Sequence, residues 1–302
     1  MAIKVLIFFF SNSFEYICSN LRKYDIIKCR SGLCLNGSID KLNDLIEYIE
    51  NNLDKDLNYN DLAKILCVNE YSLHRIFYFV TGISLSEYIR KRRLTVACTD
   101  LLNGEKVLDV ALKYGYESAT SFGRAFKKMM GFSPKDILKN KDSLKVLPVF
   151  DFKKFNNTFE EVNYSIVKNV SFNLYSVSKK IPMDIIPQVT SPFWDEMLAN
   201  NDFIYEDKTY GIVEYDKFTE SPKFITYHIA STKKFKGSKS YNIENKKFLK
   251  FSIESRKAKD ISIFTNMIYV CVIPYLGYNL DTLPDIEEYV GKNTTNIYVP
   301  II

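Results

Sequence analysis

Histidine and tryptophan are scarce in this sequence. Among 302 residues there are two histidines, His74 and His228, and one tryptophan. The histidines lie far apart in the chain, and neither an HExxH motif nor a cluster of cysteine and histidine is present. A zinc site or a histidine-based catalytic triad therefore has little material to form from. We expect no metal ion and no other cofactor.

Cysteine motifs and long apolar runs are also missing. The six cysteines form no CxxC motif and no dense, even spacing, which favours free thiols in a reducing cytoplasm over disulfides. The N-terminal run "MAIKVLIFFF" covers only about half a membrane, and no small-residue cleavage site follows it. We therefore predict that residues 1–37 are a flexible extension rather than a membrane anchor, and that the protein is cytoplasmic with no membrane partner.

The charge balance permits nucleic-acid binding without requiring it. The formal net charge is only +5, so the distribution of basic residues matters more than their sum. Aromatic residues make up 15% of the chain, with 21 tyrosines and 22 phenylalanines, an excess that needs an explanation. The length allows two or three domains, each with its own core.

The first half of the chain has helical spacing. Apolar residues after Ser38, a suitable N-cap, predict an amphipathic helix over residues 39–52. Asn58 with Asp61 resembles a capping box that begins a second helix. A tight turn over residues 67–69 precedes a third helix, predicted over residues 70–80. Two short helices joined by a three-residue turn form a helix-turn-helix.

The outward positions of this third helix suit the major groove of DNA. Their side chains can donate, accept and stack, as contact with base edges requires. They are Tyr71, Ser72, His74 and Arg75. Taken alone, the pattern fits equally well an all-helical bundle whose polar residues merely face water.

A second copy of the pattern follows 49 residues later. Arg75, Phe77, Gly82 and Ser84 recur as Arg124, Phe126, Gly131 and Ser133. Between the copies, a helix predicted from Ser84 to about Leu102 makes a rod of roughly 28 Å. This is close to the roughly 34 Å that separates major grooves on one side of B-DNA. One chain is thus predicted to place two recognition helices in successive grooves, so a two-groove site does not require a dimer. The oligomeric state stays open.

Basic residues are placed to meet the DNA backbone. The run "RKRR" at residues 90–93 spans a full helical turn, so part of it faces outward in any register. Further lysines follow the second copy of the pattern. The predicted phosphate contacts are Arg90, Lys91, Arg92, Lys127, Lys128 and Lys135.

Residues 39–138 resemble the AraC/XylS-type DNA-binding domain along its whole length. The resemblance rests on "DLNYNDLAKILCVNEYSLHRIF", "TGISLSEYIRKRRL" and "VLDVALKYGYESATSFGRAFKKMMGFSPKDI". It implies a transcription regulator that binds an asymmetric double-stranded DNA site, and it permits RNA polymerase as a further partner. It also implies base contacts at Tyr71, His74 and Arg75 and at Ala119, Thr120, Ser121 and Arg124. Since the outward residues of the two copies differ, we expect sharper readout by the first.

The second half of the chain changes to alternating spacing. A charged stretch, residues 140–157, predicts a linker after a DNA-binding domain at residues 38–139. Beyond it, segments rich in β-branched and aromatic residues predict strands, interrupted by two helical segments. The order strand–helix–strand–strand occurs twice. We therefore predict a multidomain protein: an all-α double helix-turn-helix domain, then an α+β antiparallel-sheet domain of two β-α-β-β halves over residues 158–302.

This second domain resembles the GyrI-like effector-binding domain. The resemblance rests on "FWDEML", "YGIVEYD", "FITYHIA" and "IPYLGYNLDTLPDIEEY". It implies a pocket for a small hydrophobic, often cationic, molecule. The pocket positions implied are Trp194, Tyr210, Tyr227, Glu287 and Tyr289. A carboxylate among aromatic rings suits an organic cation, although strand alternation alone leaves open whether Glu287 or Glu288 faces the pocket.

Three functions remain in competition. The leading hypothesis is a non-enzymatic regulator in which an effector in the second domain changes promoter binding by the first. Alternatively, Glu287 with Tyr210 or Tyr289 acts as base and proton donor of a small-molecule hydrolase. In the third hypothesis, the second domain binds no ligand and only contacts protein partners.

Overall fold

The computed structural model describes residues 36–152, 164–199, 208–216 and 224–302. Nearly all of the predicted flexible extension therefore lies outside the described residues. None of the described helices is both long enough and apolar enough to cross a membrane.

Helices form the first domain, as predicted. They are α1 (Asn36–Glu50), α2 (Tyr59–Ile65), α3 (Glu70–Thr81), α4 (Leu85–Leu102), α5 (Val107–Lys113) and α6 (Ala119–Met130). Two short 3-10 helices follow at Pro134–Lys139 and Lys141–Ser143. The first helix-turn-helix unit consists of α2 and α3, the second of α5 and α6, and α4 joins them.

The repeated residues explain why both units end alike. Gly82 and Gly131 follow α3 and α6 in the left-handed conformation, with φ of 74° and 94°. Only glycine adopts this conformation readily, so each glycine ends its recognition helix. Ser84 then caps α4 by accepting a hydrogen bond from the backbone of Glu87. The repeat thus preserves the scaffold of the unit.

The two units differ in what covers them. The second unit has its own core, built on Phe122 and Phe126 beneath α4. The core of the first unit continues into the second domain, so that one apolar cluster joins residues of both. That cluster includes Leu62, Leu73, Phe77, Tyr269, Ile273 and Leu280.

The first part of the predicted linker packs along the helical domain. Over residues 144–152, which we call the strap, Leu147 is buried and its backbone N–H donates to the Thr95 hydroxyl at 3.1 Å. The Phe150 ring stacks on Tyr88 with centroids 4.9 Å apart. These contacts make the strap part of the helical domain's surface.

The second domain is a closed antiparallel sheet covered by helices on one face. Its described strands are β1 (Tyr164–Pro182), β2 (Lys208–Tyr215), β3 (Phe224–Ser231), β4 (Lys239–Ile253), β5 (Asp285–Val290) and β6 (Thr294–Ile301). They pair in the order β1-β3-β2-β5-β6-β4, and β4 pairs with β1 to close the sheet. Helix α7 (Ile186–Ala199) follows β1. Helix α8 (Ala258–Met267) follows β4, and a π-helical turn at Ile268–Val272 leads to α9 (Ile273–Leu276).

This order confirms the two predicted β-α-β-β halves. Strands β1, β2 and β3 with α7 form one half, and β4, β5 and β6 with the helical segment from α8 to α9 form the other. The long strands β1 and β4 join the halves.

Candidate effector pocket and DNA-reading surfaces

Strand β5 places two carboxylates on the face of the sheet that the helices cover. Alternation puts Asp285 and Glu287 on this face and Glu288 on the other. Glu288 accepts hydrogen bonds there from Asn296 at 2.8 Å and Tyr298 at 2.9 Å. The structure thus assigns Glu287, and not Glu288, to the helix-covered face.

Glu287 lies within a cluster of aromatic side chains. Its Oε2 accepts hydrogen bonds from the hydroxyls of Tyr289 at 2.6 Å and Tyr227 at 2.9 Å. Trp194, on α7, donates its indole N–H to the Tyr227 hydroxyl at 3.1 Å. The Trp194 and Tyr289 rings meet edge to face, 5.2 Å apart. We call Trp194, Tyr227, Glu287 and Tyr289 the aromatic cluster.

The surroundings of Glu287 shift its pKa upward. Burial raises the pKa of the Glu287 carboxyl, and the hydrogen bonds from Tyr289 and Tyr227 offset this only in part. Burial, followed by the nearby Glu287, raises the pKa of both tyrosines well above the ordinary value. Both tyrosines therefore remain donors. Among the described residues, no Lys, Arg or His forms an ion pair with Glu287.

Gly211 is a member of this site that our sequence analysis missed. It pairs with Glu287 across β2 and β5. A Cβ at this position would lie 2.4 Å from the Tyr227 hydroxyl and 2.6 Å from Glu287 Oε2. The absent side chain is what lets these groups meet above the strand. A lone glycine in a predicted strand is a signal for such an approach, and it was available in "YGIVEYD".

Tyr210 does not join the aromatic cluster. Because it precedes Gly211, its side chain points to the opposite face of the sheet, where it packs with Phe172 and Ile212. Its hydroxyl lies 3.5 Å from Glu288. The structure therefore corrects the prediction that Tyr210 lines a pocket with Glu287, and a catalytic pair of these two residues is not formed.

A second polar cluster lies on the same face as Tyr210. The Ser176 hydroxyl is 3.3 Å from His228 Nδ1, and His228 Nε2 is 3.3 Å from Glu214. Ser176 and His228 are buried, so the serine is closed to a substrate, and the cluster ties β1, β2 and β3 together. Sequence spacing gave no sign of it. Among the described residues there is no group of three or more His, Cys, Asp or Glu that could hold a metal ion.

The other carboxylate of the helix-covered face, Asp285, binds an arginine of the DNA-binding domain. Arg75 Nη2 lies 2.6 Å from Asp285 Oδ2. The guanidinium carbon is 4.4 Å from the ring centroids of both Tyr215 and Tyr269, and both tyrosines also donate hydrogen bonds to Asp285. We call Asp285, Tyr215 and Tyr269 the arginine cage.

Other residues of α3 extend this contact. The backbone N–H of Asn69 donates to the Asn279 side chain at 2.6 Å, and the backbone N–H of Leu280 donates to the Ser72 hydroxyl at 2.8 Å. The Phe79 ring stacks on Tyr269, with centroids 4.3 Å apart. Recognition helix α3 is therefore docked on the second domain.

This docking corrects the prediction that the outward face of α3 is exposed. The exposed fraction is 0% for Ser72 and Arg75 and 1% for His74, and Tyr71 is partly buried. Burial lowers the pKa of His74, more than the nearby Glu70 raises it. The helical period of the sequence holds no information about the second domain, which contacts Ser72 and Arg75. His74 instead packs against Tyr59 of α2, with ring centroids 4.7 Å apart. That these four residues contact DNA bases stays a prediction.

The recognition helix of the second unit is open to solvent. Thr120 and Arg124 are exposed, and Ala119 is partly exposed. Ser121 is partly buried and completes the capping box with Ser118. Lys127, Lys128 and Lys135 are exposed as well. The predicted contacts of this unit are thus accessible.

The basic run in α4 divides between surface and interior. Arg90 is exposed, and Lys91 pairs with Glu87 at 2.7 Å. Arg92 is only 7% exposed and pairs with Glu50 at 2.7 Å, while also donating to the backbone carbonyl of Leu147. Arg92 therefore fastens α4 to α1 and to the strap, which corrects its prediction as a phosphate contact.

Comparison with known proteins bears on both domains. Residues 62–140 match the model of a helix-turn-helix domain, and residues 163–302 match the GyrI-like small molecule binding domain. Regulatory protein SoxS of Salmonella typhimurium is 38% identical over 93 residues, which are 30% of this chain and 87% of SoxS. The Transposon Tn10 TetD protein of Escherichia coli is 39% identical over 101 residues, 33% of this chain and 73% of TetD. The chain belongs to the AraC family of transcription regulators.

This AraC-family regulator joins a helix-turn-helix DNA-binding domain to a GyrI-like small-molecule binding domain. The right origin-binding protein of Escherichia coli (strain K12) is 28% identical over 200 residues, which are 63% of this chain and 68% of that protein. A match of this length exceeds the DNA-binding domain and continues into the second. The comparisons confirm the family and the two-domain organisation predicted from the sequence.

Proposed function

We propose that this regulator senses a lipophilic organic cation at the aromatic cluster. The observation that carries the proposal is a carboxylate, Glu287, set among Trp194, Tyr227 and Tyr289. Burial disfavours the charge on Glu287. A bound cation supplies the opposite charge, and the ring faces add cation–π attraction of about 0.5–2 kcal/mol each.

The DNA-binding part of the proposal is that the two units read successive major grooves. The 18 residues of α4 make a rod of about 27 Å between them. Arg124 supplies an exposed guanidinium suited to guanine, and Arg90, Lys127, Lys128 and Lys135 supply exposed charge for phosphates. Contact with RNA polymerase is not part of the proposal.

The experiment that tests cation sensing uses tetraphenylphosphonium and the neutral triphenylphosphine oxide. We expect the cation to raise the melting temperature of the wild-type protein and the neutral compound to leave it unchanged. Glu287→Gln should remove the shift. Glu288→Gln is the matched control, because it neutralises the adjacent carboxylate on the other face of the sheet and should keep the shift.

Two outcomes would replace this proposal. If Glu287→Gln keeps the full shift, the cation binds elsewhere. Hydrolysis of a strained ester that Glu287→Gln abolishes would instead favour catalysis, because the Tyr289 hydroxyl 2.6 Å from Glu287 is positioned as a proton donor beside a base.

A further inference from the structure

We propose that the arginine cage is a binding surface for the first recognition helix and competes with DNA for it. The cage lies on the second domain, whereas its occupant, Arg75, comes from α3 of the first domain. Arg75 therefore has two alternative partners, the arginine cage and DNA.

The chemistry of the cage parallels what an arginine meets on DNA. A carboxylate oxygen of Asp285 takes the guanidinium at 2.6 Å, where DNA would offer an acceptor on guanine or a phosphate oxygen. The Tyr215 and Tyr269 rings lie 4.4 Å from the guanidinium carbon, as flat stacking partners. The cage therefore offers Arg75 the same kinds of interaction as DNA: an opposite charge, a hydrogen-bond acceptor for Nη2 and flat stacking partners.

The two states exclude each other. In the docked state Arg75 has no exposed surface, and Ser72 is engaged by the backbone of Leu280. A helix in the major groove must present these side chains to base edges. DNA binding by the first unit thus requires α3 to leave the second domain, whereas the exposed Thr120 and Arg124 of the second unit are ready to bind.

The test measures DNA affinity of the full-length protein without any effector. The duplex is one selected in vitro by the wild-type chain, and binding is followed by fluorescence anisotropy. Asp285→Asn should bind at least about tenfold more tightly, because the docked state would then hold a buried guanidinium without its counter-charge. Asn279→Ala removes only the acceptor for the Asn69 backbone at the rim of the contact, and it should bind about threefold more tightly.

Glu288→Gln is again the matched control, since it changes the same strand on the opposite face, and its DNA affinity should equal that of the wild type. Far-ultraviolet circular dichroism of each variant checks that the sheet remains folded. Tighter binding by both Asp285→Asn and Asn279→Ala supports the proposal. Unchanged affinity in either variant overturns it. Since no cation is present, this outcome is independent of whether Glu287 binds an effector.

Discussion

Arg75 Nη2 lies 2.6 Å from Asp285 Oδ2, a residue 210 positions later in the chain. The equivalent arginine of the second helix-turn-helix unit, Arg124, is exposed. Sequence comparison of the two units presents them as repeats of one reading module. The structure shows that the second domain covers one module and leaves the other open.

Substitutions of Arg90 and Arg92 should have different effects, the first on DNA binding and the second on stability. Arg92→Ala removes an ion pair to Glu50 and the hydrogen bond to Leu147, and it leaves a largely buried carboxylate without its counter-charge, with Tyr88 as its remaining donor. We expect a loss of about 3 kcal/mol in the free energy of unfolding, measured by urea denaturation. Arg90→Ala, the control, should leave stability within about 0.5 kcal/mol and weaken DNA binding with a shallower salt dependence. Equal stability of the two variants would contradict the assignment.

Gly211→Ala should disrupt the aromatic cluster. Its Cβ would overlap the Tyr227 hydroxyl and Glu287 Oε2, so the carboxylate or the strand must move. We expect at least about a tenfold loss of affinity for tetraphenylphosphonium by calorimetry, equivalent to about 1.4 kcal/mol. Gly123→Ala is the control: a Cβ there meets nothing within 4 Å, and alanine should stabilise the helix by up to about 1 kcal/mol. Retention of cation affinity in Gly211→Ala would show that the cluster is not the binding site.

Cation affinity should rise with pH. Burial raises the pKa of Glu287 above the ordinary value of 4.5. Below the raised pKa the carboxyl is neutral and holds a cation poorly; above it the carboxylate is ionised and binds well. At pH values near and below the raised pKa, binding therefore releases protons, which calorimetry in buffers of different ionisation enthalpy detects. Tyr227 and Tyr289 stay protonated throughout, and Asp285 faces Arg75, so Glu287→Gln should abolish the dependence. A pH-independent affinity in the wild type would count against Glu287.

The same raised pKa has a consequence for the ligand-free protein. The folded state favours protonated Glu287 relative to the unfolded state, so its contribution to stability is complete below the unfolded pKa and is lost as pH rises through the folded pKa. The sign is opposite to that of the usual ion-paired carboxylate, and Glu287→Gln should remove this component from the pH profile of stability.

A cation at Glu287 should strengthen DNA binding. Glu287 and Asp285 lie two residues apart on one face of β5. At a pH above the raised pKa of Glu287, where this carboxylate is already ionised, a bound cation adds positive charge that weakens the attraction of Asp285 for Arg75. We expect tetraphenylphosphonium to tighten DNA binding about fivefold in the wild type, at the lower end of typical allosteric coupling. The DNA affinity of two variants should not change on addition of the cation. Glu287→Gln lacks the carboxylate that binds the cation, and in Asp285→Asn the first recognition helix has already left the second domain. Weaker DNA binding on addition of the cation would reverse the proposed sign.

The sequence predicted the parts of this fold that local patterns determine. Gly82 and Gly131 each end the helix that they follow, and the repeat in the sequence indicated both. Alternation along β5 separates Glu287 from Glu288, and the structure then showed which of the two faces the helices. The helical period also identified the buried face of α3 correctly.

Features that depend on distant contacts could not be read in the same way. Arg92 and Arg90 lie in one basic run, and only the packing of α1 and the strap decides that one is interior. Tyr210 is a different case, because alternation along β2 already separates its side chain from the face at Gly211, and only the family resemblance placed it in the pocket. The burial of Arg75 depends on a strand 210 residues away, which no local period records.

The strap gives the proposed competition a particular character. The arginine cage and α3 belong to one chain, and the strap holds residues 144–152 of the connection between the domains against the helical domain. The two partners therefore meet at an effective concentration of the order of millimolar. Diluting the protein would not separate them, so the fraction of molecules with a free first unit does not depend on the protein concentration. The apparent affinity of the first unit for DNA is its intrinsic affinity multiplied by that fraction. A cell could therefore change promoter occupancy by altering a population ratio within each molecule, at a fixed number of regulator molecules.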